Sequence, residues 1–348
     1  MKKLKLGVIF GGMSTENEVS CLSGASVIKN LNKEKYDIFP IYIDKKGNWF
    51  EVQDIEKNEK IGEELEDKKP IENVMKFLKT FDVVFPVLHG LYGEDGTIQG
   101  VFELLKIPYV GCGVLASSVG MDKVYSKIVF DKAGINQTKY VYVRKYEDKY
   151  IYVNDNFNEE LLKLEDISKI IIEKLKFPMF VKPSNSGSSV GISKVTNEKE
   201  LKEAIEEASK FDKKILIEEG INGREVECAV LGKEEVISSC VGEIKAADEF
   251  YSYDAKYNNQ ESRTLIPADI SDEKSEEIQK LAIKAFKAID GKGLSRVDFF
   301  IEKETEKVYI NEINTLPGFT SISMYPKLLE QVGIGYTELL DKLIELAF

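Results

Sequence analysis

The stretch LSRVDFFIEKETEKVYINEINTLPGFTSIS, residues Leu294–Ser323, decides the architecture of this chain. Two alternating apolar runs, Ser295–Glu302 and Lys307–Ile313, flank the polar link Lys303–Glu306. Such a pattern is typical of a β-hairpin. The remaining motifs can be placed relative to this hairpin.

The hairpin brings four polar side chains to one face, because side chains alternate along a strand with period two. If the turn is centred near Thr305, Asp298 lies opposite Glu312. Arg296 then lies opposite Asn314. Two opposed carboxylates repel each other, and a divalent cation between them reverses that effect. Magnesium takes carboxylate and carbonyl oxygens and usually holds a substrate phosphate as well, so this face predicts a metal–phosphate site. The alternative, a solvated charged face, does not explain the apolar neighbours of the aspartate in VDFF.

Length and composition restrict the class of protein. A chain of 348 residues exceeds what one core usually fills, so two or three domains are expected. The contents of 43% hydrophobic and 31% charged residues are ordinary for a soluble globular protein. The net charge of −12 argues against nucleic acid or an anionic membrane as the main partner. The cysteines form no metal or redox pattern, no apolar run is long enough to span a membrane, and we expect a cytoplasmic protein.

Strand and helix alternate in the first third of the chain, residues 1–115. Strands are predicted at Leu4–Phe10, Tyr36–Ile43, Asp82–Leu88 and Ile107–Val110, with a helix from Thr97. This order predicts a parallel sheet covered by helices, an α/β arrangement. Ligands on such sheets gather at the carboxyl ends of the strands.

Two candidate residues lie at those strand ends. Glu16 stands at the start of a helix, where it either favours the helix dipole or receives a substrate ammonium group. His89, the only histidine, ends a strand beside a glycine-rich loop, and both a structural and a functional role remain open.

The middle of the chain, residues 116–210, carries two lysines suited to phosphate. A helix over Met121–Ala133, opened by Asp122, has Lys123 near its start. Lys182 ends a short strand and precedes the small-residue loop SNSGSSVG. Backbone N–H groups of such a loop can approach an anion closely. The spacing is not that of a Walker loop, and a plain surface turn is the alternative.

The last third, residues 211–348, contains a strand edge whose backbone groups can pair with adenine and a long loop that can act as a lid. The strand Ile215–Ile221 ends in acids and is followed by a second strand, Glu225–Leu231, whose neighbourhood can hold adenine and ribose. The segment Lys245–Pro267 has little periodicity, and a loop of that length is commonly a lid or a binding loop.

Seven motifs occur in one order: GGMSTENEVS, VLHGLYGEDGTIQG, MDKVYSK, VKPSNSGSSVG, EFYSYDAKY, SRVDFF and NEINTLPGFTSIS. Together they resemble the D-alanine–D-alanine ligases of the ATP-grasp superfamily over essentially the whole chain. The resemblance implies an α/β and α+β protein of the ATP-grasp fold. A parallel α/β substrate-binding domain (1–115) precedes a central ATP-grasp domain (116–210) and a C-terminal ATP-grasp domain with the metal hairpin and lid (211–348).

The resemblance also implies a reaction. The carboxylate of one D-alanine takes the γ-phosphoryl group of ATP, and the amine of a second D-alanine attacks the acyl phosphate, for peptidoglycan precursors. ATP, two magnesium (or manganese) ions and a homodimer are expected.

Site residues follow from the positions that match the family motifs. Those implied for catalysis are Glu16, Ser188, Tyr257, Arg296 and Gly318. Those implied for substrate binding are His89, Ser323 and Met324. Those implied for ATP are Lys123, Lys182, Glu218, Glu219, Ile221, Glu225 and Lys256. Those implied for metal are Asp298, Glu312 and Asn314.

Two other functions remain open. Tyr257, preceded by Lys256, resembles the dipeptide-forming type rather than the lactate-forming type, whereas a ligase with D-serine as its second substrate fits the same residues. A catalytically silent nucleotide-binding protein would lack a metal ligand or a phosphate lysine, and neither is missing from the sequence.

Overall fold

The computed structural model describes residues 2–53, 55, 68–188, 190–245 and 263–348. Its strands are β1 (Leu4–Gly11), β2 (Tyr36–Ile43), β3 (Trp49–Glu51), β4 (Lys69–Pro70), β5 (Val83–Pro86), β6 (Tyr140–Tyr146), β7 (Lys149–Val153), β8 (Glu159–Leu162), β9 (Met179–Pro183), β10 (Ser193–Val195), β11 (Lys214–Glu219), β12 (Gly223–Gly232), β13 (Val236–Lys245), β14 (Arg263–Leu265), β15 (Gly293–Glu302) and β16 (Val308–Asn314). Its helices are α1 (Asn17–Asn30), α2 (Val74–Leu78), α3 (Thr97–Leu105), α4 (Val114–Met121), α5 (Lys123–Lys132), α6 (Leu164–Lys174), α7 (Glu198–Ala208), α8 (Asp272–Ala288), α9 (Met324–Gln331) and α10 (Tyr336–Glu345).

The first sheet has the strand order β4-β3-β2-β1-β5. The central strand β1 is parallel to β2 and to β5, as the alternation of strands and helices predicts. The edge strands β3 and β4 are antiparallel, so the sheet is mixed. The strand predicted at Ile107–Val110 is wrong in extent, because only Tyr109 forms a bridge, with Val84.

Two antiparallel sheets follow. The second has the order β10-β9-β11-β6-β7-β8, and the third β14-β13-β12-β15-β16. The second sheet includes β11, which lies beyond the boundary predicted at residue 210. By sheet membership, the chain therefore passes from the second sheet to the third between Glu219 and Gly223.

Four apolar clusters hold these layers together. One packs the C-terminal helices α9 and α10 against the first sheet, with Phe85 and Phe319 buried inside it. Others lie between the third sheet and helices α5 and α8, and between the second sheet and helices α6 and α7. A fourth lies on the other face of the first sheet. Within the described part of the chain, no helix combines the length and the apolar character that a membrane crossing requires.

Candidate active site

The register predicted for the acidic hairpin is confirmed. In the pairing of β15 with β16, Asp298 is the partner of Glu312, and Arg296 is the partner of Asn314. All four side chains line one cleft. The hairpin therefore presents two carboxylates, one amide and one guanidinium to the same space.

A β-bulge in β16 sets this register. Next to Asp298, Phe299 pairs with Ile310, so Asn311 is an extra residue on β16. The sequence shows the slip, since the next buried residue after Ile310 is Ile313, three positions on rather than two. A bulge absorbs one extra residue and bends the strand locally, which keeps the polar residues that follow on the cleft face.

Arg296 ties the acids of the third sheet together. Its Nε and Nη2 atoms donate to Oδ1 and Oδ2 of Asp298, both at 2.7 Å. Its Nε also lies 3.1 Å from Oε2 of Glu227, which faces Asp298 from β12. Asn314 Nδ2 donates to the same aspartate at 3.0 Å. Burial by itself lowers the pKa of Arg296. The neighbouring carboxylates of Asp298 and Glu227 more than offset this and raise the pKa well above its ordinary value, so the guanidinium stays charged.

Lys123 links the hairpin to the small-residue loop. Its Nζ donates to the carbonyl oxygen of Ser186 at 2.7 Å and lies 3.5 Å from Oε2 of Glu312. Asp122 caps helix α5 as predicted, accepting from the N–H of Val124 at 3.1 Å. The cap fixes the first turn of the helix, which holds the lysine at the mouth of the cleft.

Glu16 is seated by a serine and two glycines. Its side chain forms no cap of helix α1, and Oε1 accepts instead from the hydroxyl of Ser188. A Cβ atom at Gly90 or Gly187 would stand 2.6 or 2.7 Å from Oε2. Only glycine fits at these two positions without moving the carboxylate, which lies where loops of the first and second sheets meet.

His89 is buried beside this carboxylate. Its Nε2 lies 2.9 Å from the hydroxyl oxygen of Ser23. Burial lowers the pKa of His89, while Glu16 and a hydrogen bond with the Leu316 backbone oppose that shift. The imidazole is therefore neutral at pH 7, hydrogen-bonded within the protein, and also part of the cleft wall.

Glu94 is a cleft residue that the sequence analysis did not assign. Its Oε1 accepts from the N–H of Gly90 at 2.7 Å. Burial and the nearby Glu16 raise the pKa of Glu94 to about 8. The side chain is therefore largely a neutral carboxylic acid at pH 7.

The loop after β16 forms the far wall. The N–H of Thr320 donates to Ser323 Oγ at 3.0 Å, and the two hydroxyl oxygens are 2.8 Å apart. A Cβ atom on Gly318 would stand 2.7 Å from that Oγ, so glycine is required here too. Gly318, Ser323 and Met324 all face the cleft.

A second ionic group lies on the second sheet. Glu218 is buried between Lys182 and Lys127, whose Nζ lies 2.9 Å from Oε2 of the carboxylate. Although burial raises the pKa of Glu218, the two lysines hold it well below its usual range. Burial lowers the pKa of Lys182, but Glu218 raises it above its ordinary value, with smaller contributions from Glu312 and Glu225.

Part of the backbone predicted to pair with adenine, Glu219–Ile221, is already hydrogen-bonded within the protein. The N–H of Glu219 donates to Lys139 O at 3.0 Å, and that of Gly220 to Pro178 O at 2.8 Å. Those two donors are not available to a nucleotide base in this arrangement. The prediction for Glu219–Ile221 therefore depends on the amide of Ile221 and on carbonyl groups.

The cleft encloses about 1220 Å³, including the solvent at its mouth. The predicted site residues that line it are Glu16, His89, Lys123, Ser188, Glu225, Arg296, Asp298, Glu312, Asn314, Gly318, Ser323 and Met324. Those outside its lining are Lys182, Glu218, Glu219 and Ile221. Lys256 and Tyr257 lie outside the described residues.

The donor set fits magnesium only together with a ligand. Among the residues that the structure describes, no three His, Cys, Asp or Glu side chains converge as a metal site. Asp298, Glu312 and Asn314 offer two carboxylates and an amide, the oxygen donors that magnesium takes. Because magnesium needs six oxygens, this set suits an ion bound jointly with a nucleotide phosphate.

Sequence signals existed for the residues that were missed. Glu227 follows Glu225 by two positions in one strand, so the two share a face. Lys127 follows Lys123 by four positions in helix α5, which also places them on one face. Glu94 lies within the quoted motif VLHGLYGEDGTIQG.

Solved structures similar to this one define the class of the protein. The VanG D-Ala:D-Ser ligase from Enterococcus faecalis is 39% identical with a TM-score of 0.85, each chain being covered completely. The D-alanine-D-alanine ligase from Coxiella burnetii is 33% identical with a TM-score of 0.81, covering 100% of this chain and 94% of that one. The fold is therefore the ATP-grasp fold of this class of ligase, as the resemblance implied.

The family is shown by the sequence itself. Residues 5–112 match the family described as D-ala D-ala ligase N-terminus, and residues 129–345 match D-ala D-ala ligase C-terminus. The D-alanine--D-alanine ligase of Clostridium acetobutylicum is 52% identical over 100% of this chain and 98% of its own. That of Acetivibrio thermocellus is 51% identical over 99% and 96%. The chain belongs to the D-alanine–D-alanine ligase family.

Proposed function

We propose that this protein joins two D-alanines to D-alanyl-D-alanine, using ATP, for peptidoglycan precursors. It is an ATP-dependent ligase. The observation that carries the proposal is the meeting, in one cleft, of the acidic hairpin, Lys123, which donates to the small-residue loop, and the seated Glu16. Relatives about half identical along their full length are named for the same reaction.

The reaction has two steps. A carboxylate oxygen of the first D-alanine bonds to the γ-phosphorus while the bond to the ADP oxygen breaks. The amine of the second D-alanine then forms the C–N bond, loses a proton, and releases phosphate. Phosphoryl transfer depends on positioning and charge neutralisation more than on covalent catalysis, and the cleft provides groups for both.

The first substrate is held on the side of Glu16. This carboxylate, with Ser188 beside it, receives the ammonium group, and neutral His89 closes the wall next to it. Arg296 and the Gly318 N–H face the reacting carbonyl and stabilise the tetrahedral oxyanion. Preorganised donors of that kind are typically worth about 10²–10³ in rate.

The nucleotide spans the second and third sheets. Lys123 and Lys182 meet its phosphates, while Glu218, Glu225 and the backbone along Glu219–Ile221 hold adenosine. Asp298, Glu312 and Asn314 would hold two magnesium or manganese ions, which when bound neutralise the transferring phosphoryl group. Ser323 and Met324 receive the carboxylate of the second D-alanine.

Lys256 is assigned to the terminal phosphate and Tyr257 to the first substrate, both from the lid. The three domains, a homodimer and a cytoplasmic location complete the proposal. An acyl phosphate hydrolyses readily, so a lid that excludes water suits this chemistry.

A D-alanine–D-serine ligase is the second candidate, because the similar VanG structure carries that name. Incubation with ATP, magnesium and D-alanine, with or without D-serine, separates the two. We expect phosphate release that depends on D-alanine alone, with D-alanyl-D-alanine as the main product even in mixtures. No release with D-alanine overturns the main proposal, and mainly D-alanyl-D-serine in an equimolar mixture selects the second.

A further inference from the structure

The segment Leu316–Phe319 carries Gly318 into the cleft, and its flanks are held by other elements. Phe319 is fully buried, with its ring edge-on to Phe85 at 5.9 Å between centroids. The ring also packs on Tyr325 and Tyr336. The residue after the glycine is therefore anchored in the apolar cluster between the first sheet and the C-terminal helices.

Both backbone groups of Phe319 are hydrogen-bonded to side chains from distant parts of the chain. Its N–H donates to the hydroxyl oxygen of Ser23, in helix α1, at 3.3 Å. Its carbonyl oxygen accepts from the hydroxyl of Tyr336, in helix α10, at 2.6 Å. The Tyr336 oxygen also lies 3.0 Å from Ser26 Oγ. Helices α1 and α10 thus hold the two peptide units on either side of the Phe319 Cα atom.

The other end of the segment is held through His89. This imidazole hydrogen-bonds with the Leu316 backbone, and its Nε2 lies 2.9 Å from Ser23 Oγ. Because Ser23 Oγ accepts from Phe319, its own proton is available for the histidine nitrogen. One serine therefore connects both ends of the four-residue segment.

The anchoring is important because the segment Leu316–Phe319 contains a glycine, Gly318. Gly318 cannot be replaced by a stiffer residue, because a Cβ would stand 2.7 Å from Ser323 Oγ. Glycine is the residue with the greatest backbone freedom. A glycine N–H can act as a preorganised donor only if its neighbours fix the backbone, since catalysis by such donors depends on their being in place beforehand.

We propose that Ser23 and Tyr336 are positioning residues for the reaction, which fix Leu316–Phe319 and so aim the Gly318 N–H at the reacting carbonyl. This inference rests on the proposed function, in which that N–H stabilises the oxyanion. Neither Ser23 nor Tyr336 lines the cleft, so both act through the backbone of Phe319.

Tyr336→Phe tests the proposal with a matched control. The variant keeps the ring and removes only the hydroxyl. Tyr36→Phe removes a comparable buried hydroxyl, which donates to Asp341 of the same helix α10 at 2.8 Å but does not contact the loop. Each variant removes a hydroxyl hydrogen bond of helix α10, so we expect the two to be destabilised to a similar, small extent.

The two variants should differ in kinetics. We expect Tyr336→Phe to lower kcat about tenfold, less than the 10²–10³-fold cost of removing an oxyanion donor itself, with KM for ATP unchanged. Tyr36→Phe should keep the kcat of the unmodified protein. Ser23→Ala is the second variant and should lower kcat in the same direction. The effects of Ser23→Ala and Tyr336→Phe should be less than additive, because both hydroxyls hold the backbone of the same residue, Phe319.

Hydrogen exchange gives a readout independent of activity. Mass spectrometry of peptides spanning 316–323 should show faster exchange in Tyr336→Phe and Ser23→Ala, and no change in Tyr36→Phe. Equal kcat in Tyr336→Phe and Tyr36→Phe, or unchanged exchange in the loop, overturns the positioning role. If the unmodified protein releases no phosphate with D-alanine, the proposed function fails instead, and the exchange data still decide whether the two hydroxyls fix the loop.

Discussion

The two ionic groups around the cleft have opposite charge balances. On the second sheet, Lys127 and Lys182 surround one carboxylate, Glu218. On the third sheet, Arg296 stands among several acids: Asp298, Glu227 and, across the hairpin, Glu312. Both groups are largely buried, so their charges are weakly screened by solvent.

The difference in charge balance indicates which sign of charge a ligand must supply to each group. Two cations around one anion leave an excess of positive charge, which phosphate oxygens can take when Lys182 turns to them. An arginine among three acids leaves an excess of negative charge, which divalent cations can take. Triphosphate bound with magnesium supplies both missing charges at once. Glu312→Gln, Lys127→Met and Glu227→Gln each alter one side only.

Glu312→Gln should have the largest effect, because it removes a proposed metal ligand from the acidic side. We expect activity to fall about 10²–10³-fold or more, the scale of losing one electrostatic group at a reacting centre. Stability should change by no more than about 1 kcal/mol, since the loss of the contact with Lys123 is offset by relief of repulsion from Asp298. Phosphate release and urea unfolding measure the two effects.

Glu302→Gln, on the same hairpin but outside the cleft lining, is the control for this substitution. It should keep full activity. Near-normal turnover in Glu312→Gln would contradict the metal assignment.

Lys127→Met alters the cationic side. Removing one partner of a buried ion pair costs about 3–5 kcal/mol, and because Lys182 still pairs with Glu218, we expect a loss below that range. Lys182 should then be held more firmly by Glu218, so KM for ATP should rise while kcat changes little.

Lys145→Met gives the matched control, since both lysines lie over tyrosine rings of the second sheet: Lys127 Nζ is 5.3 Å from the centroid of Tyr140, and Lys145 Nζ is 4.3 Å from that of Tyr150. It should leave KM for ATP unchanged. The same KM in Lys127→Met as in the unmodified protein would show that the cationic side does not serve the nucleotide.

Glu227→Gln tests whether the acidic side needs its third carboxylate. Arg296 keeps its two bonds to Asp298 but loses a charged neighbour, so we expect an activity loss of about tenfold, below that of removing a donor outright. Glu243→Gln is the control, because Glu243 pairs with Arg224 on the same sheet, at 2.8 and 2.7 Å, away from the cleft. If both variants lose activity alike, the effect comes from the sheet and not from the site.

Glu94→Gln should have its effect in the pH dependence of stability rather than in activity. Since the folded pKa of Glu94 is raised to about 8, its stabilising contribution is complete below about 4.5 and is lost as pH rises through 8. The glutamine variant lacks this loss, so its stability relative to the unmodified protein should rise between pH 5 and 8 and then level off. Urea unfolding at single-unit pH steps measures it, and parallel profiles would refute the assignment.

The sequence predicted the acidic hairpin correctly for a partly wrong reason. A turn centred on Thr305 gives the observed partner for Asp298, but the end of the hairpin pairs Ile301 with Val308, which centres the turn half a residue earlier. The extra residue Asn311 in the bulge shifts the register by one residue, so that Asp298 still pairs with Glu312. Regular alternation cannot show a bulge, although the three-residue spacing from Ile310 to Ile313 marks it.

Other differences have tertiary causes. The boundary predicted at residue 210 separated β11 from the sheet it joins, because strand order is set by pairing with β6 and β9, which local pattern does not report. The short apolar run at Ile107–Val110 reads as a strand but forms one bridge at the sheet edge. Lys127 and Glu227 were not predicted because each joins its ionic group through a partner distant in sequence, Glu218 and Arg296.

The main chain of Gly187 forms part of the pocket wall beside Glu16, and we expect few substitutions there that confer drug resistance. Alanine at Gly90 or Gly187 would place a methyl group 2.6 or 2.7 Å from the carboxylate of Glu16 and displace it. The part of an inhibitor that packs against Gly187 contacts main-chain atoms, which no substitution can remove. Escape variants should therefore arise where the wall is made of adjustable side chains, such as the half-exposed Ile322.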